Sequence, residues 1–122
     1  MKKIKFSGYD LESLEKALEE LENCQQSDEY DFNSLNKLAQ SFGAELLTGS
    51  SGGKGSQERW IFDGLEQMSP IHRHGIFGVH VKPAGKKRFK VFGSNIKKYF
   101  CPPIRLILEY NKYQNRKREE PE

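Results

Sequence analysis

No run of this chain is apolar for long enough to cross a bilayer, so no transmembrane helix is expected. Cysteine is scarce as well. Cys24 and Cys101 are the only two, far apart and without a spacing framework, which speaks against a disulfide scaffold and for a reducing compartment. The N-terminus is basic, but Asp10, Glu12 and Glu15 stand where a signal peptide needs an apolar core, so no secretory leader is expected. Hydrophobic residues reach only 35 % of 122, against 30 % charged. That suffices for one compact core and little more. The expected setting is cytoplasmic.

Two ligand-binding patterns are also missing. The glycine-rich stretch from Gly49 to Ser56 carries Lys54, but a phosphate loop needs Ser or Thr after the lysine and a helix next. Here Gly55 follows, and then a strand. A loop that meets a nucleic-acid backbone through Lys54 stays open. His72, Arg73 and His74 form an H-x-H pair, with His80 further on. No cysteine or carboxylate lies close enough in sequence to complete a metal site, and no metal or cofactor is expected.

What the chain has is an uneven distribution of charge. Residues 1–48 hold five bases and ten acids, a net −5, whereas residues 49–122 hold fifteen bases and seven acids, a net +8. The basic part calls for an anionic partner. Its densest segment reads as a β-hairpin: a strand over 76–82, a turn over 83–86 and a return strand over 87–92. Strand side chains alternate faces. Phe77, Val79 and Val81 then share a core face with Phe89 and Val91. The other face carries Ile76, His80, Lys82, Arg88, Lys90 and Phe92. Lys86 and Lys87 add to the cluster, and Lys97 and Lys98 follow. Cations with an aromatic ring among them suit a phosphate backbone. Double-stranded RNA, read largely by shape and phosphates, needs little more than placed cations.

The remaining elements follow from periodicity. Leu11, Leu14, Leu18 and Leu21 define an amphipathic helix over 11–23, capped by Asp10. Residues 25–31 read as a connection, with Asp31 capping a second helix whose stripe is Leu35, Leu38, Ala39 and Phe42, ended by Gly43. Short strands are predicted over 44–48 and 57–63, the latter placing Trp60 and Phe62 on one face and Arg59 on the other. Residues 65–75 read as a connection. A turn at Cys101, Pro102 and Pro103 precedes a last helix from about Pro103. The order predicts an α+β two-layer sandwich, a three- to four-stranded antiparallel sheet packed by helices. The division read from this is an N-terminal helical extension over 1–31, an α-β-β-β-α core over 32–112, and a charged flexible tail over 113–122.

Taken together, Ser41-Phe42-Gly43-Ala44-Glu45-Leu46-Leu47, Lys54-Gly55-Ser56 before a strand, Gly85-Lys86-Lys87-Arg88 in a hairpin, and the run from Val91 to Lys98 before a helix resemble the HicA-like (YcfA-like) toxin family. The resemblance covers about residues 32–110, with the first helix as an addition. It implies a double-stranded-RNA-binding-like fold, RNA as partner, endoribonuclease activity and an antitoxin protein as second partner. Where that family has Gly-Ser-His, this chain has Gly55-Ser56-Gln57, so the acid/base must come from elsewhere. A second register, which aligns the hairpin with the family's later strands, brings His74 or His80 to the catalytic position. Both registers stay open. Phosphate contacts are expected from Lys54, Arg59, Lys82, Lys86, Lys87, Arg88, Lys90, Lys97 and Lys98. The alternative is a protein-interaction module without catalysis, an inhibitor or adaptor that meets an acidic protein through the leucine-striped helix and the basic face.

Overall fold

The computed structural model describes residues 1–47, 57–69, 71–83 and 89–119. The chain begins as an extended arm. Lys2 bridges Tyr30 in parallel, and the buried Ile4 donates its amide to Ser34 Oγ at 3.2 Å. Helix α1 (Leu11–Glu22) starts where Asp10 accepts from the Ser13 amide. Strand β1 (Glu29–Asp31) runs into α2 (Phe32–Ser41), which Asp31 caps through the Ser34 amide at 3.2 Å. The amides of Gly43 and Ala44 return to the carbonyls of Gln40 and Ala39, the Schellman closure expected of Gly43.

Then come β2 (Glu45–Leu47), β3 (Gln57–Ile61), a short α3 (Leu65–Met68), a 3₁₀ turn over Arg73–Gly75, β4 (Ile76–His80), β5 (Lys82–Pro83) and β6 (Phe89–Phe92). A first helical turn, α4 (Gly93–Asn95), leads through a π turn at Ile96–Phe100 into α5 (Cys101–Glu119).

The fold is α+β, as predicted, with every strand of its sheets antiparallel to its neighbours. Two three-stranded sheets have the orders β2-β3-β4 and β1-β6-β5. Strands β4 and β5 are one extended run with Val81 between them. The run leaves one sheet and joins the other, pairing Ile76 to His80 with β3 and Lys82 and Pro83 with β6. The hairpin therefore exists, and among the described residues its pairs are Lys82 with Lys90 and Pro83 with Phe89. Pro83, expected in the turn, pairs with Phe89. The turn itself lies outside the described residues, as does the glycine-rich loop with Lys54.

Trp60 organises the core. It is fully buried, stacks on Phe77 with centroids 5.6 Å apart and meets Phe100 edge-on at 5.5 Å. Its indole Nε1 donates to Asn36 Oδ1 at 2.9 Å, which meets the need of a buried donor for a partner. Leu14, Leu18 and Leu21 of α1 belong to the same hydrophobic cluster, each worth roughly 2 kcal/mol of burial. The leucine stripe is thus core, and it is not the partner surface of the interaction-module reading. Two sets of ion pairs bind α1 to α5. Arg105 meets Glu22 through two nitrogens and Glu109 at 3.2 Å, while Lys112 meets Glu15.

Four features differ from the sequence reading. β1 is a strand where a connection was expected, because a three-residue strand with one buried side chain, Tyr30, has no visible period. The connection over 65–75 contains α3, with Leu65 fully buried. The helix expected to fade after residue 112 continues to Glu119.

The fourth concerns the prolines. No turn interrupts the chain at Cys101. Cys101 keeps helical angles, φ −65° and ψ −43°, directly before Pro102. The wider π turn ahead of it shifts the hydrogen-bond register, and both prolines fall in the first turn of α5, where a missing amide is least costly. At the head of this helical run Gly93 packs on the 24–28 turn, donating to the Asp28 carbonyl at 2.8 Å.

Candidate nucleic-acid interface

Antiparallel partners that stand directly opposite each other share a face. The pairs Gln57 with His80, Arg59 with Gly78, and Lys82 with Lys90 therefore put Arg59, His80, Lys82 and Lys90 on one side. Phe92 joins them two residues beyond Lys90. The other side carries Trp60, Phe77, Val79, Val81 and Val91, all buried. The alternation read from the sequence holds here. Phe89 departs from it in part, since it is 39 % exposed although it meets Phe32 edge-on.

The face is made of cations placed around aromatic rings. Lys82 Nζ lies 5.6 Å from the Phe92 centroid and Lys90 Nζ 5.2 Å from it. His80 meets Tyr99 edge-on with centroids 5.8 Å apart, and Lys98 Nζ lies 5.2 Å from the same ring. His80, Lys82 and Lys98 are exposed, while Phe92 and Tyr99 are half-buried. The three lysine–ring separations are within the range of cation–π attraction. Arg59 is exposed on the same face, and its side chain crosses Gly78, where a Cβ would come within 2.9 Å of Arg59 Cγ. A Cβ at 78 would also stand 2.7 Å from the Glu58 carbonyl oxygen, so glycine there makes room for both backbone and stem.

Not every predicted cation is equally available. Lys90 pairs with Glu29 at 2.8 Å, a neighbour supplied by β1. Lys97 is exposed, and its charge helps hold the Asp28 carboxyl low after the Gln25 amide and Lys2. Lys54, Lys86, Lys87 and Arg88 lie outside the described residues.

The two candidate histidines are not brought together. His74 sits in the 3₁₀ turn before β4 with φ 60° and is exposed. The four steps of β4 span about 13 Å from Ile76 to His80, and His74 precedes that strand while His80 ends it. His72 is different again. Burial pushes its imidazole below the ordinary histidine value, and Nε2 has no partner among the described residues. Among the described residues no group of three His, Cys, Asp or Glu side chains could hold a metal ion.

The sequence reading missed Tyr99. Its signal was the two aromatic residues directly after two lysines in Lys97-Lys98-Tyr99-Phe100, but only the π turn shows which ring meets His80. No family model matches the chain, and no curated protein or solved structure matches it. No helix among the described residues is long and apolar enough to cross a membrane.

Proposed function

We propose that this chain is an RNA-binding protein of HicA-like type that acts as an endoribonuclease, with an antitoxin protein as its second partner. One observation carries the reading. An exposed imidazole, His80, stands on a sheet face among Arg59, Lys82 and Lys98, beside the ring of Tyr99. Cations on that face hold phosphate. His80 then removes the proton of a ribose 2′-hydroxyl. The 2′-oxygen attacks the adjacent phosphorus, and the 5′-oxygen leaves and takes a proton from water.

The choice of His80 over His74 rests on register. Gln57 stands where the family has its histidine, and His80 is the residue opposite Gln57. Opposite Cα atoms are about 5 Å apart, so an imidazole from β4 serves the region that one from β3 would have served. His74, beyond the far end of β4, has no cation pair around an aromatic ring among the described residues.

The test is RNA cleavage by purified protein. Wild type and His74→Ala cut, while His80→Ala binds the same RNA and leaves it intact. Cleavage that survives His80→Ala removes the catalytic part of the reading. Binding unaffected by Lys82→Glu with Lys98→Glu removes the rest.

A further inference from the structure

We infer that the sheet face takes single-stranded RNA, with bases stacked on Phe92 and Tyr99, and not a duplex. This rests on the RNA-binding reading above and deepens it. A duplex offers phosphates and 2′-hydroxyls but hides the faces of its bases. Cations alone would serve it. Here each cationic group is built around a ring. Lys82 and Lys90 flank Phe92, and Lys98 and His80 flank Tyr99. Lysine next to a half-buried aromatic ring on an open sheet is the arrangement that stacks a base and holds its phosphate at once.

His80 and Lys82 are two residues apart on the same extended run, about 7 Å, so the two ring clusters are neighbours. A strand of RNA lying across the run meets both. The base takes the ring face, and the ammonium of Lys82 or Lys98 that was over it moves to the phosphate. One cation contact is exchanged for another, so neither charge is stranded. His80, which flanks Tyr99 two residues from Lys82, then faces the sugar that joins the two nucleotides.

The experiment compares binding of uncleavable 2′-O-methyl oligonucleotides, single-stranded and as a duplex of the same sequence, by fluorescence anisotropy. The expected result is at least roughly tenfold tighter binding of the single strand. Phe92→Leu and Tyr99→Leu each weaken it by roughly 5- to 100-fold and leave duplex binding unchanged. A single strand carrying 2-aminopurine reports stacking on wild type directly, through quenching of its emission. That readout does not depend on how the variants fold. Duplex bound as tightly as single strand, with no quenching, overturns the inference. In that case Lys82→Glu still abolishes duplex binding if the RNA-binding reading stands. Absence of binding to either form overturns both.

Discussion

Gln57 and His80 stand opposite each other across β3 and β4. The position that resemblance would give to a histidine is thus occupied by a residue that cannot exchange a proton, and its cross-strand partner is one that can. On the proposed reading, this makes the sheet face the place where chemistry is expected. It also ties the charge of the face to the position of His80, which leads to the first expectation.

Glu29 holds Lys90 at 2.8 Å, so β1 withholds one cation from any anionic ligand. Glu29→Gln releases it. RNA affinity is expected to rise about 2- to 5-fold at about 0.1 M salt, and the salt dependence to steepen by up to about 0.7 in slope. Lys82→Glu and Lys98→Glu weaken binding and flatten the slope, and Lys97→Glu does so less because its charge acts toward Asp28. Anisotropy titrations over a range of salt check all four. Equal effects at Lys97 and Lys98 would mean that both charges reach the ligand alike.

Gly93 tests the start of the C-terminal helical run. A Cβ there would overlap the carbonyl oxygen of Gln25 and come within 3.1 Å of Cys24 Sγ. The obstacle is backbone, which cannot swing aside. Gly93→Ala is expected to destabilise by about 3 kcal/mol or more, a fall in Tm of roughly 10 °C for a chain of this size. A thermal melt reads it, and a change below about 1 kcal/mol would mean that the 24–28 turn yields.

Arg105 tests the attachment of α1. Its guanidinium forks onto Glu22 through Nε, at 3.1 Å, and a terminal nitrogen, and those contacts push its proton affinity further up. The partners are 28 % and 30 % exposed, which shields the pair only in part. Arg105→Met and Glu22→Gln are each expected to cost about 1–2 kcal/mol in urea unfolding. The double variant should cost less than their sum. Arg105→Lys, which keeps the charge and loses the fork, should recover only part.

His72 predicts a dependence on pH. Its folded-state affinity for protons is lowered by burial, so the unfolded chain binds the proton first as pH falls. Its contribution to stability is complete above about pH 6.5 and is lost below that, through the lowered folded value. The Tm of wild type should therefore drop between about pH 7 and pH 5, and that of His72→Gln should drop less. Asp10, Glu15 and Asp28, held low chiefly by hydrogen bonds from Ser13, Lys112 and the Gln25 amide, act below this window. Equal slopes for the two proteins would dismiss His72 as the source.

The sequence by itself determined the elements whose signals are local. Asp10 and Asp31 cap helices because each has an acceptor placed for an amide three residues on. Gly43 closes α2 for an equally local reason. The leucine stripe of α1 and the alternation from Phe77 to Val81 were legible because burial imposes the period of the element on the sequence. The basic face was legible for the same reason.

Only the tertiary structure decided which edges pair and which charges survive. A strand has two edges, and nothing within residues 76–83 says that one half pairs with β3 and the rest with β6. That choice puts Gln57 opposite His80. It also brings Glu29, from a strand too short to be seen in sequence, against Lys90. The π turn carries the helix through two prolines and brings Tyr99 to His80. Periodicity records burial along one element, whereas a site is made where several elements meet, and their meeting leaves no period to read.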